Sequence, residues 1–207
     1  MLKDERGAVC GSVYRSWRDA GAGARPRGGE RGFTIMELMV TITVSVVLVA
    51  IAVPAFSALS ARNDLAVATN ALRGALLTAP QAAITQGHSV SLCAGSTQTG
   101  CTGDWSDGRW IVFHDADSGG DLDPDESVLR YDRIPGGARV DGNGPFGSAL
   151  VYVPLGHAEW ASGGFGAGRL RICVDHDIES NARELVVSAS GRVRLQALDF
   201  DGGCPAL

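Results

Sequence analysis

The sequence predicts an α+β protein in which one long N-terminal helix, apolar in its first half and amphipathic in its second, packs on antiparallel β-sheet. Three observations predict it. Between Ile35 and Phe56 the chain is almost wholly apolar, with Glu37 its single charge. From there to Gly87 apolar residues recur at helical spacing. After Gly87 the pattern changes to a period of two, interrupted by clusters of Gly, Asp, Asn, Ser and Pro that are turn chemistry.

Residues 1–32 are rich in Gly, Ala and Arg without apolar periodicity, and no structure is assigned to them. They carry seven Lys or Arg against four Asp or Glu, or +3; the remainder carries 11 against 19, or −8, and the two sum to the net −5. Basic residues before an apolar span place that end in the cytoplasm and the C-terminal domain across the membrane. The acidic balance of the domain argues against wholesale attraction to nucleic acid, so any DNA contact requires a local basic patch.

The apolar run is long enough to span a bilayer, since roughly 20 helical residues at ~1.5 Å each cross the ~30 Å hydrocarbon layer. A carboxylate inside such a run costs several kcal/mol unless paired, which marks Glu37 as a functional residue. The stretch Gly32-Phe33-Thr34-Ile35-Met36-Glu37-Leu38-Met39-Val40 resembles the type III signal of type IV pilins and type II secretion pseudopilins. The resemblance implies a type IV pilin-like fold. It also implies cleavage after Gly32 by a prepilin peptidase and N-methylation of Phe33. Glu37 would then be an assembly residue that meets the N-terminal amine of a neighbouring subunit. Pro54 lies where such helices often carry a kinking proline. The leader is longer than the few residues usual in the family; a long-leader member and a start codon downstream both remain open.

In the amphipathic half, Leu65, Ala68, Leu72, Ala75 and Leu76 share one face while Arg62, Asp64, Asn70 and Arg73 take the other, and Gly87 is the expected stop, with Pro80 a possible earlier distortion. The expected organisation is a leader over 1–32, a membrane and assembly helix over 33–56, its amphipathic continuation over 57–87, and a β-rich periplasmic domain over 88–207. Strands are expected over 88–93, 109–113, 128–131, 149–153, 168–174, 184–187 and 192–195.

Cys10 falls in the leader, leaving Cys93, Cys101, Cys173 and Cys204, an even number suited to an oxidising compartment. Four cysteines allow three connectivities. Cys93–Cys101, closing a short loop, and Cys173–Cys204, stapling the tail to a strand, are expected; free thiols and zinc are the alternatives, although the CxxC spacings of a zinc site are absent.

Two constellations carry candidate chemistry. The loop from Asp115 to Glu126 places Asp115, Asp117, Asp121, Asp123 and Glu126 at positions 1, 3, 7, 9 and 12, with Gly120 at 6. This approximates a calcium loop, except that Gly119 stands where a side-chain oxygen belongs and strands replace the flanking helices. The other reading is a solvated hairpin loop held by Asx turns.

The second is Gly191-Arg192-Val193-Arg194, where alternation sends both arginines to one face beside a Gly turn. With Arg169, Arg171 and Arg183, five of the 11 basic residues after the leader fall in the last 39. Paired guanidinium groups suit phosphate. The pattern resembles the C-terminal motif of FimT-type minor pilins, which bind DNA during uptake in natural transformation.

Elsewhere, Ser162–Gly168 reads as a flexible loop without the Lys of a phosphate-binding loop, and the four histidines are scattered. Trp105, Trp110 and Trp160 are expected to pack in the core or on sheet. No nucleophile or acid–base pair supports catalysis. The expectation is therefore a GspH/FimT-like subunit with two competing tasks. One is pilus assembly with double-stranded DNA capture at Arg192 and Arg194; the other is a place near the tip of a type II secretion pseudopilus without DNA. Partners on either reading are other pilin subunits, the peptidase and the inner membrane.

Overall fold

The computed structural model describes residues 32–207; the expected leader up to Arg31, with Cys10, lies outside the described residues. The described residues divide into two units, one ending at Ser45 and the other Val46–Leu207. Helix α1 (Ile35–Gln86) runs for 52 residues with Pro54 and Pro80 inside it; neither proline has an N–H to donate, so the ladder lacks one bond at each. It begins at a capping arrangement legible as Thr-x-x-Glu: the Glu37 N–H donates to Thr34 Oγ1 at 3.2 Å. It ends where Gly87, with φ of 72°, supplies the left-handed residue that closes a helix.

In the second unit α1 buries a stripe of Ala61, Leu65, Ala68, Leu72, Ala75, Leu76, Ala79 and Ala83, spaced by three and four. Small alanines on this stripe let the sheets approach the helix closely. Asp64, expected on the solvent face, is half-buried, and Gly137 packs so near its carboxylate that a Cβ there would collide with it.

Ten strands follow: β1 (Ser89–Ser96), β2 (Gly100–Cys101), β3 (Arg109–Asp115), β4 (Val128–Arg133), β5 (Arg139–Gly142), β6 (Leu150–Tyr152), β7 (Ala158–Trp160), β8 (Gly168–Cys173), β9 (Ala182–Val187) and β10 (Val193–Leu198). They form two antiparallel sheets, ordered β4-β3-β1-β6-β7 with β2 beside β1, and β10-β9-β8-β5. Val90, Leu92, Trp110, Leu150 and Tyr152 of the first sheet and Leu170, Ile172, Leu185 and Val187 of the second bury against the helical stripe. The architecture is the expected helix on antiparallel sheet. Burying each of these side chains contributes roughly 1.5–3 kcal/mol.

The seven expected strands are all present; β2, β5 and β7 are additional. On its other face the first sheet has a smaller cluster of Cys93, Ile111, Phe113 and Ala149, roofed by Cys101, Leu122 and Val128. Disulfides join Cys93 to Cys101 and Cys173 to Cys204. Trp105 and Trp110 are buried, whereas Trp160 is at the surface.

Candidate functional site

The apolar first half of α1 is long and apolar enough to cross a membrane, and its side chains are exposed, Ile35 at 80% and Phe56 at 73% among them. Its hydroxyls are internally satisfied: Thr41 donates to Leu38 O, Thr43 to Val40 O and Ser45 to Thr41 O, at 2.7–2.9 Å. Such back-bonding removes their cost in lipid. Glu37 is left as the ionisable side chain of the segment, in the first helical turn where the helix dipole favours an anion. Gly32 and Phe33 precede the helix in non-helical backbone.

At the opposite end of the chain, β9 and β10 are joined by a tight turn. The Gly191 N–H donates to Ser188 O at 2.8 Å and the Ser188 N–H to Arg192 O at 3.0 Å. Gly191 has φ of 75°, and a Cβ there would lie 2.5 Å from Gly156 O, so both conformation and space require glycine. Arg192 leaves this turn exposed, and Arg194 is exposed on β10.

Strand register brings a third arginine into line. Arg194 pairs with Val186, and Val186 with Arg169, so Arg194 and Arg169 share one cross-strand row. Two strand spacings separate them, roughly 10 Å at the backbone. The Arg169 side chain is 56% exposed.

Arg171 behaves differently from its neighbours. Alternation places it on the same face, but the C-terminal tail lies over it and the side chain is 12% exposed. Its guanidinium donates to Pro205 O at 3.0 Å, Ala206 O at 3.2 Å and Glu184 Oε1 at 3.2 Å, and stands over the Phe200 ring. It holds the tail and does not present itself to solvent.

Asn181, fully buried, is the other anchor. It donates to Val174 O and Gly203 O and accepts the Phe200 N–H. Neither Asn181 nor Glu184 stands out in the sequence, because what buries them is an aperiodic tail. The opposite end of this sheet is acidic, with Asp175, Asp177 and Glu179 after β8 and Asp199 and Asp201 after β10. Arg139 neutralises Asp175 at 2.5 Å.

The acidic loop gathers part of the expected ligand set. Asp115, Asp117 and Glu126 bring one oxygen each within 4.8 Å of one another. Asp121 and Asp123 are not in that group. Protein donors already serve these carboxylates. Asp115 accepts from Ser91 Oγ and from the Gly119 and Gly120 N–H groups, and Glu126 accepts from the Ala116 and Asp123 N–H groups. Asp115 is fully buried, and that burial pushes its carboxyl above the ordinary range despite the hydrogen bonds. The loop is therefore closed on itself by turn hydrogen bonds, and a cation would have to compete with these donors.

The family model of the type II transport protein GspH matches residues 68–191, and a prokaryotic N-terminal methylation motif matches residues 27–53. The chain belongs to the GspH family. It is a minor pilin or pseudopilin of the kind found in type IV pili and type II secretion systems, families of structural subunits. No curated protein sequence matches this GspH member. Among solved structures it is similar to the type IV minor pilin FimU of Pseudomonas aeruginosa, at 18% identity over 65% of this chain and 90% of that one, with a TM-score of 0.47. It is also similar to the minor pseudopilin EpsH from the type 2 secretion system of Vibrio cholerae, at 14% identity over 65% and 97%, with a TM-score of 0.46.

Proposed function

We propose that this GspH member is cut after Gly32, methylated at Phe33, and anchored in the inner membrane by residues 33–56 with residues 88–207 in the periplasm. It then joins a filament in which Glu37 pairs with a neighbour's N-terminal amine. The Thr34–Glu37 cap supports this placement, because it sets Glu37 one turn from the new N-terminus. Substitution of Gly32 should leave the longer precursor in membranes, and a normally processed Gly32 variant would reject the cleavage site.

The task we propose at the far end is capture of double-stranded DNA. The supporting observation is that Arg192 and Arg194 stand exposed on a turn fixed by Gly191, with Arg169 in the same cross-strand row. Guanidinium groups at this spacing suit backbone phosphates, and affinity would fall steeply with salt. The test is a salt-titrated binding assay on the full chain in detergent. Replacing Arg192 and Arg194 with Gln is expected to lower the log–log salt slope by about 2. Unchanged DNA retention in that double variant rejects the interface.

The family match to a type II transport protein favours a second reading, a pseudopilus tip subunit that contacts other minor subunits and no DNA. The same assay separates the two.

A further inference from the structure

We infer that Leu155 is a second element of the DNA interface, an apolar wedge that enters a base step beside the phosphates held by Arg192 and Arg194. The inference rests on the DNA-binding reading above and is carried by separate observations. Leu155 lies at the tip of the β6–β7 hairpin, in a turn closed by the Gly156 N–H donating to Val153 O at 2.8 Å. Pro154 presets the turn and Gly156 takes φ of 83°, so the backbone explains both of Leu155's neighbours. Nothing in that geometry asks for a large apolar side chain at 155. Leu155 is nevertheless 85% exposed, more than Ile35 at 80% or Phe33 at 77% on the apolar segment.

The turn is packed against the arginine turn. Gly191 lies directly against Gly156 O, and the Ala158 N–H donates to Ala189 O at 3.1 Å. Ile84 Cδ1 backs the turn from the helix, 3.0 Å from where a Gly156 Cβ would sit. An exposed leucine thus sits on a turn packed against the turn from which exposed Arg192 emerges. That combination suits a nucleic acid whose phosphates are neutralised while one base step is pried open. Proteins that kink DNA use Leu, Ile, Phe or Met in this way, preferring flexible pyrimidine–purine steps. The alternative occupant of an exposed leucine is another subunit, for which DNA would be irrelevant.

The test uses the full chain in detergent and a duplex carrying 2-aminopurine at a central TA step. Wild-type protein is expected to raise the fluorescence as the base unstacks. Leu155→Ser is expected to abolish the rise and weaken binding on the order of tenfold while the salt slope stays the same, because no phosphate contact is lost. Leu155→Met should restore both. Arg192→Gln with Arg194→Gln should instead lower the slope. If the arginine variant weakens binding while Leu155→Ser changes neither affinity nor fluorescence, the wedge is wrong and the arginine interface stands. If the arginine variant binds as wild type does, the reading beneath the inference fails.

Discussion

Arg171 and Glu184 meet at 3.2 Å beneath the C-terminal tail, with the Glu184 side chain only 4% exposed. Arg169 reaches the same carboxylate at 4.0 Å from the solvent side. A carboxylate buried on the outer face of a sheet requires such a partner. Arg171 also bridges to two tail carbonyls, so the pair works as the tail's fastening.

Removing Arg171 is therefore expected to be a stability mutation. Arg171→Ala leaves Glu184 buried without its main counter-ion, a loss of about 3–5 kcal/mol. Arg192→Ala, at an exposed position, should stay within about 0.5 kcal/mol of wild type. Denaturant unfolding of the two variants in detergent checks the contrast, and equal effects would refute it.

The disulfides should differ in weight. Cys173–Cys204 closes a separation of 31 residues and Cys93–Cys101 one of 8. Chain entropy then predicts losses of roughly 3.7 and 2.5 kcal/mol on removing each pair. Unfolding of Cys173→Ser/Cys204→Ser beside Cys93→Ser/Cys101→Ser measures the order.

Gly191→Ala should destabilise the arginine turn by at least about 1 kcal/mol, since alanine at φ of 75° is strained and its Cβ would collide with Gly156 O. A lowered melting temperature is expected, with DNA retention falling alongside it.

Asp115 predicts a pH dependence of definite sign. Burial holds its folded-state carboxyl above the ordinary value of 3.8. The folded protein then keeps a proton that the unfolded chain has released. The stability this contributes is complete below the ordinary value and lost as pH rises through the folded value. Asn cannot satisfy both the Gly119 and Gly120 N–H groups, so Asp115→Asn should be less stable throughout. Its deficit should shrink as pH rises from about 3.5 to about 7. Melting temperatures across that range check this; a deficit that widens with pH would contradict it.

Much of this molecule is legible in the sequence because its signals are local. Leu65, Leu72 and Leu76 declare the helix face, and Gly87 its end. The alternation of Arg169 to Ile172 and of Leu92, Val112 and Leu150 with their neighbours marks strands. What escapes is whatever depends on a distant segment. β5 holds one apolar side chain, Val140, and β7 is three residues long, so each exists only through its partner strand. Arg171 alternates as a solvent residue should; the tail that covers it has no periodicity and is brought there by Cys204 and Asn181. The contact of the Leu155 turn with Gly191 joins segments far apart in the chain, and no local pattern announces it.

The charges at the two ends of the second sheet give it poles. Arg192 immediately precedes β10 and Asp199 immediately follows it, with the six strand residues between them. That is about 20 Å at ~3.3 Å per residue, some two Debye lengths at physiological salt. Each pole is then felt separately: a nearby polyanion is drawn at one end and repelled at the other, and experiences a torque as well as an attraction. Orientation would be settled during approach, before any side chain touches its target.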